Sequence, residues 1–328
     1  MIHRSKDSLH SFYKMKRIVV TGGSGLVGKA LEKVAAARIS EGETWIFLSS
    51  RDGDLRNRDA VMELFDMHRP THVIHLAAKV GGLFANMKYK VEFYRDNIFM
   101  NDNIFEACRK FKVEKLISCL STCIFPDKTT YPIDETMIHN GAPHISNDAY
   151  AYAKRMIDVM NHAYKDEYGC NFTAVIPTNI YGPHDNFHLE DSHVIPGLIH
   201  KCYLAKRDGA SFVVGGSGTP LRQFIHSEDL ARLILWTLES YDSVEPIILS
   251  VDESAEVSIS DIALMIAKAM EFSGEVVFDT SRADGQFKKT ASNAKLRGYL
   301  PDFEFCPIRE GIADAVRWFL ENYDVARK

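Results

Sequence analysis

Arg17-Ile18-Val19-Val20-Thr21-Gly22-Gly23-Ser24-Gly25-Leu26-Val27-Gly28 is the stretch that decides the fold of this 328-residue chain. A short apolar run rich in β-branched side chains reads as a buried strand, glycines at three-residue spacing follow it, and a helical pattern begins at Leu26. Gly22 would permit the tight turn, Gly25 would let backbone approach a pyrophosphate at the helix N-terminus, and Gly28 would let helix and strand pack closely. Strand, glycine turn and helix in that order open a dinucleotide-binding unit.

Working outward, apolar runs at 44–48, 72–76, 115–119 and 172–176 alternate with helical patterns at 26–37, 60–67, 89–111 and around Tyr150. That alternation implies right-handed crossovers and an α/β fold, a Rossmann-type doubly wound parallel sheet over residues 16–180. Past Pro177 the rhythm breaks at Gly182-Pro183, Pro196-Gly197, Gly215-Gly216-Ser217-Gly218 and Pro220, which reads as loop-rich chain. Residues 181–328 form a smaller C-terminal α+β substrate lobe in this reading. It carries helices at 230–238 and 259–270 and strands near 246–251 and 275–278, and the segment near 224–250 is free to return to the first lobe. A lobe covering the carboxyl ends of the strands would place a ligand cleft at the switch point of the sheet.

The formal charge of −5, with 25% charged and 46% hydrophobic residues, gives no broad attraction to nucleic acid or to an anionic membrane. Residues 1–15 lack an apolar stretch long enough for a signal peptide or membrane span and read as a flexible tail; Asp7 and the short length argue against a transit peptide. Six cysteines without a C-x-x-C pair point to reduced thiols in the cytoplasm.

Cofactor choice is read where the second strand ends, at Ser49-Ser50-Arg51-Asp52. The hydroxyls and Arg51 favour the 2′-phosphate of NADP(H), while Asp52 keeps the ribose of NAD open. Tyr150 and Lys154 stand four residues apart, so on a helix they share a face, and the ammonium can lie beside the phenol and lower its pKa from about 10. A phenol so tuned exchanges a proton with a carbonyl while a nicotinamide exchanges the hydride. About one Tyr-x-x-x-Lys is expected here by chance, so the pair draws its weight from its surroundings.

Taken together, Thr21-Gly22-x-x-Gly25-x-x-Gly28, Asp54-Leu55-Arg56, His75-Leu76-Ala77-Ala78, Ser121, Tyr150-x-x-x-Lys154 and Arg222-Gln223-Phe224-Ile225-His226 resemble the extended short-chain dehydrogenase/reductase family. The likeness runs from Met15 onward. Two further stretches narrow it: Ser121-Thr122-Cys123-Ile124-Phe125-Pro126, and Pro177-Thr178-Asn179-Ile180-Tyr181-Gly182-Pro183-His184-Asp185-Asn186-Phe187 leading to Ser192-His193. They are similar to the members that epimerise carbons 3 and 5 of GDP-4-keto-6-deoxy-D-mannose and then reduce carbon 4 with NADPH.

The resemblance implies roles. Cys123 and His193 would be acid and base on opposite faces of the sugar, with ordinary pKa values of about 8.5 and 6.5. Ser121 and Tyr150 would hold the ketone oxygen, and Lys154 would also bond the nicotinamide ribose. Asp54 and Leu55 would join Gly22, Gly25, Gly28 and Arg51 around the cofactor. Asn179, Lys201, Arg222 and Lys289 would bind the GDP-sugar, with the three cations at its diphosphate. The family usually offers a tryptophan near the base before Gly216-Ser217-Gly218-Thr219, and here Gly215 stands. A homodimer through the 89–111 and Tyr150 helices is also implied.

Competing readings have specific obstacles. A metal site from His184, Asp185 and His188 follows Gly182-Pro183, which disfavours the helix it needs, and the H-E-x-x-H glutamate is missing, so no metal is expected. A 4,6-dehydratase needs carboxylates where Thr122-Cys123 stand. A 4-epimerase would retain NAD and consume no reductant, and a redox-sensing module of the same fold would not need the Tyr-Lys pair that this chain keeps.

Overall fold

The computed structural model describes residues 15–38, 42–282, 284 and 288–328, so the expected tail at 1–15 lies, but for the exposed Met15, outside the described residues. In chain order the elements are β1 (Lys16–Thr21), α1 (Leu26–Ala36), β2 (Glu43–Leu48), α2 (Arg58–His68), β3 (His72–His75), α3 (Leu83–Lys88), α4 (Lys90–Lys110), β4 (Lys115–Cys119), α5 (Asp148–Tyr168), β5 (Phe172–Pro177), β6 (Asn179–Tyr181) and α6 (Val194–Asp208). There follow β7 (Phe212–Gly215), β8 (Leu221–Arg222), β9 (Phe224–His226), α7 (Ser227–Ser240), β10 (Ile247–Leu249), β11 (Val257–Ser258), α8 (Ile259–Ala269), β12 (Val276–Asp279), α9 (Ala294–Tyr299) and α10 (Ile308–Glu321).

Six strands form one sheet in the order β10-β5-β4-β3-β1-β2, every pair parallel. Side chains alternate across it, as the pleat demands. Leu116, Ala174 and Ile176 face a core that includes Phe105 of α4 and Ile157 of α5, whereas Ile117 and Val175 face the core of α1 and α7 around Leu31 and Ile234. Helices therefore cover both faces, which is why β4 and β5 are buried along both faces rather than on alternate residues, from Lys115 to Ser118 and from Phe172 to Pro177. Both α7 and β10 belong to this unit, so the chain returns to the sheet after its first excursion. Local signals stop and start the helices: Asn57 Oδ1 accepts from the backbone N–H of Asp59 and Ala60 at the start of α2, and Gly169, in the left-handed region, ends α5.

The second hydrophobic core gathers Phe187, Ile199, Phe212, Ile262, Val316 and Phe319. Here the expectation of loop-rich chain is corrected: residues 194–208 are a 15-residue helix, α6. Pro196 and Gly197 sit in its first turn, where a missing N–H costs nothing because that donor has no partner within the helix. β7 and β12 pair in parallel although some sixty residues separate them, a contact that no local pattern announces.

One buried polar chain ties the sheet to α4 and α5. The Ala77 N–H donates to Thr21 Oγ1 at 3.3 Å, Thr21 bonds His75 Nδ1 at 2.8 Å, His75 Nε2 bonds Asn101 Oδ1 at 3.1 Å, and Asn101 Nδ2 donates to the Ala153 carbonyl at 3.4 Å. The amide at the far end makes Asn101 Oδ1 an acceptor, so His75 carries its proton on Nε2 and accepts at Nδ1 from the threonine hydroxyl. Burial and then the nearby Lys154 hold this imidazole down at about 3. Between about pH 6.5 and pH 3 the unfolded chain takes up a proton at His75 that the folded chain refuses, so stability rises with pH by up to about 1.4 kcal/mol per unit in that window. Replacing His75 by glutamine should flatten the slope of unfolding free energy against pH, measured by urea denaturation between about pH 4 and 6. An unchanged slope would show that the folded protein already accepts that proton.

Candidate active site

The glycine turn after β1 is shaped by contact. Gly22 has φ +73, and a Cβ there would sit 2.8 Å from Ala77 N; at Gly28 a Cβ would meet Gly22 O at 2.5 Å. Those two positions need glycine for the fold. At Gly25 the nearest atom to an added Cβ, Gly22 O, is 3.3 Å away, and Gly25 caps α1 with no side chain satisfying the first turn. Gly25 thus leaves the amide-lined helix start open to an anion. At the end of β2, Asp52 Oδ2 accepts from both Ser49 N at 2.7 Å and Ser49 Oγ at 2.8 Å, which holds its carboxyl below the ordinary range. Asp52 is therefore spent on its own turn, and the exposed Arg51 is the group left facing out. Asp54 is likewise paired, with Arg56 Nε at 2.9 Å, and Leu55 packs between Val19, Leu48 and Leu64 while its carbonyl accepts from Asn103 Nδ2.

The carboxyl end of β4 meets the first turns of α5. Residues 119–125 leave the sheet, make one 3-10 turn over Thr122–Ile124, and place Ser121 Oγ 3.4 Å from Cys123 N. Lys154, 2% exposed, reaches across from α5 and donates to the Cys119 carbonyl at 2.9 Å. Tyr150 lies one turn earlier, its ring edge-on to Phe93 of α4 at 6.2 Å.

The expectation that Lys154 lowers the Tyr150 phenol is overturned. Burial, with Cys123 and Cys119 nearby, pushes the phenol well above its ordinary range, and burial holds the Lys154 ammonium below its own. Lys154 bonds a backbone carbonyl, Cys119 O at the end of β4, rather than the phenol.

Cys123 is buried, which raises its thiol, while Lys289, the Ser121 hydroxyl and Lys154 pull the other way. Lys289 in turn feels Arg222, so two of the three expected diphosphate cations act on one another and one of them acts on the thiol. The third, Lys201, stands apart. It lines a cavity of about 320 Å³ together with Gly215 and Arg282. An added Cβ at Gly215 would come within 3.0 Å of Arg282 Cδ, so the arginine stem occupies the space above the missing ring. Asn179 Nδ2 donates to the Gln223 carbonyl at 2.8 Å, joining β6 to β9.

His193 caps α6 and is solvent-accessible, yet enough protein surrounds it to hold its imidazole below the ordinary range. An added Cβ at Gly82, in the turn after β3, would lie 3.5 Å from Ser192 O, so the His193 segment meets the loops at the carboxyl edge of the sheet. The neighbouring histidines are employed otherwise: His184 packs tilted against Trp318, ring centres 4.5 Å apart, and His188 Nδ1 accepts from the N–H of Glu190 and Asp191.

Residues 18–251 match the profile of the NAD dependent epimerase/dehydratase family. The GDP-L-fucose synthase of Dictyostelium discoideum is 60% identical to this chain over 313 residues, which span 95% of this chain and 98% of that protein. The chain belongs to the GDP-L-fucose synthase branch of the NAD dependent epimerase/dehydratase family. The Escherichia coli K12 GDP-L-fucose synthase is 34% identical over 318 residues, 94% of this chain and 98% of that one. A GDP-L-fucose synthetase of Naegleria fowleri, solved bound to NADP, has a TM-score of 0.92 at 55% identity and covers 95% of each chain.

Three features of this family member had no reading in the sequence: Arg155 bonded to the end of the Cys123 turn, Arg282 over Gly215, and the electrostatic pull of Lys289 on the thiol. Each depends on chain segments far apart in sequence. Removing the ammonium in Lys289→Met should raise the pH at which Cys123 becomes alkylated by iodoacetamide, followed by peptide mass mapping. A midpoint that stays put or falls would detach Lys289 from the thiol.

Proposed function

We propose that this chain converts GDP-4-keto-6-deoxy-D-mannose to GDP-L-fucose, inverting carbons 3 and 5 and then reducing the carbon 4 ketone with NADPH. The observation that carries the reading is the packing of the Ser121-Thr122-Cys123 turn directly against the helix of Tyr150 and Lys154. A 4,6-dehydratase would need carboxylates there.

A ketone at carbon 4 acidifies the hydrogens on carbons 3 and 5, because the electrons of either C–H bond can move onto the ketone oxygen. The Ser121 and Tyr150 hydroxyls hold that oxygen as charge develops. A buried thiol tends to stay protonated and a crowded imidazole to stay neutral, so Cys123 and His193 can pass a proton in on one face and out on the other. Reduction then needs a proton at the same oxygen, which Tyr150 gives. Burial makes its phenolate costly in the free protein, so the Lys154 charge and the approaching substrate must offset that cost during turnover.

The cofactor, when bound, supplies hydride to carbon 4. The glycine turn and the open start of α1 suit its pyrophosphate, Arg51 its 2′-phosphate, and Lys154 its nicotinamide ribose. Asp52, the one group that would have favoured NAD, is occupied by Ser49. Lys289 with its neighbour Arg222, and Lys201 in the cavity with Arg282, supply the positive charge for a GDP diphosphate.

Incubation of the purified chain with GDP-4-keto-6-deoxy-D-mannose should consume NADPH in step with GDP-L-fucose formed, and NADH should serve far less well. Tyr150→Phe should slow reduction by about 10² to 10⁴-fold yet leave solvent-deuterium exchange at carbons 3 and 5 measurable. Sugar epimers formed with no NADPH consumed would instead indicate a cofactor-retaining 4-epimerase. Binding of NADPH without turnover of any keto sugar would indicate a sensing module.

We also propose a cytoplasmic homodimer. The six cysteines are unpaired, and no helix among the described residues is long and apolar enough to cross a membrane. The outer faces of α4 and α5 expose Tyr94, Phe99, Tyr152 and Val159, an apolar strip over two long helices. Sedimentation should give twice the chain mass, and Tyr152→Glu should shift the species toward monomer. A wild-type monomer at micromolar concentration would remove the dimer.

A further inference from the structure

Building on the reaction assigned above, we propose that Arg155 is a positioning residue that fixes Cys123 relative to Tyr150, so that inversion of the sugar outruns reduction of its ketone. Arg155 is 5% exposed and follows Lys154 on α5. Its Nε donates to the Ile124 carbonyl at 3.0 Å, Nη2 donates to the same oxygen, and Nη1 donates to the Gly141 carbonyl at 2.8 Å.

These bonds close a frame around the turn that carries the thiol. At its front, Lys154 holds the Cys119 carbonyl, and the Leu120 N–H is taken by Val175 O at 2.8 Å. At its back, the single 3-10 turn ends in carbonyls with no helical partner, and the guanidinium fork supplies donors to the last of them, Ile124 O. The residue 138–142 loop is held against the same helix. His139 Nε2 bonds Asp158 Oδ2 at 2.8 Å, and Asp127 N donates to Ala142 O at 2.9 Å. Consecutive basic residues of one helix therefore grip the two ends of the Cys119–Ile124 segment, with Ser121 near the front grip and Cys123 near the back one.

The two chemistries should respond differently to loss of the back grip. Hydride transfer uses Tyr150, Lys154 and Ser121, all fixed by α5 itself or by the Cys119 end. Proton transfer at carbons 3 and 5 uses Cys123, whose distance from the ketone held by Tyr150 is set through Ile124 O. A reacting group displaced by about an ångström loses on the order of a hundred-fold in rate. With epimerisation slowed and reduction intact, ketone is reduced before both centres have inverted, and GDP-sugars that retain the original configuration at carbon 3 or 5 accumulate.

The test is the product spectrum of Arg155→Met, read by NMR, beside deuterium incorporation at carbons 3 and 5 and the rate of NADPH oxidation. Expected is a fall in exchange on the order of a hundred-fold against a much smaller fall in NADPH oxidation, with prematurely reduced sugars in the mixture. Arg155→Lys keeps the buried charge but not the fork, and should fail to restore the wild-type ratio. Where thermal unfolding and NADPH binding show Arg155→Met to be misfolded, Arg155→Lys is judged by the same ratio. A wild-type product spectrum in a folded variant, or an equal fall in exchange and oxidation, overturns the role. A wild-type chain that makes no GDP-L-fucose overturns the reaction and the role together.

Discussion

A buried ammonium must find acceptors or lose its charge, and Lys154 finds the Cys119 carbonyl at the point where β4 ends. That bond joins the sheet to α5 where the chain leaves the core for the site. A parallel sheet releases all its strands at one edge, and the loops that follow β1, β3 and β4 gather there. The His75 chain runs under the same edge, from the glycine turn through Asn101 to the carbonyl preceding Lys154. The glycine turn and α5 are therefore held in register through buried polar bonds.

Much of this was legible in order along the chain. The β1 run, the glycine turn and α1 follow from local contacts, and the glycines are where an added Cβ would collide or where an anion needs room. Residues far apart in sequence but near in the first lobe, such as Ser121 and Lys154, could be associated because strand ends in a parallel sheet converge. The second lobe was read less well for a physical reason. Pro196 and Gly197 usually mark breaks, yet the first turn of a helix tolerates both, so α6 was hidden by the rule that punctuates helices. The β7 and β12 pair and the electrostatic pull of Lys289 on Cys123 depend on closure over long separations, which composition and periodicity do not encode.

Gly215 illustrates how a departure from a family pattern is compensated by a neighbour. Loss of an aromatic platform should weaken stacking by roughly a kcal/mol, but the void does not stay open: the Arg282 stem lies over it, and Asp279 Oδ2 fixes the guanidinium Nε at 3.2 Å. A guanidinium plane stacks on aromatic faces as a ring does and adds charge. Arg282 and Lys201 line the same cavity, and after burial the arginine charge helps hold the lysine ammonium below its ordinary range.

The same logic extends to the catalytic groups. Burial pushes Tyr150 and Cys123 up and Lys154 and His193 down, so all four are biased toward their neutral forms. A helix that simply paired an ammonium with a phenol would have stored that charge separation before substrate arrived. Arg222 and Lys289 of the second lobe are likewise held below their ordinary ranges by burial, with Glu256 drawing the first and Cys123 the second back up. Lys289 is the first of the influences that oppose burial at the Cys123 thiol, so an electrostatic link joins the second lobe to the first beside their packed cores.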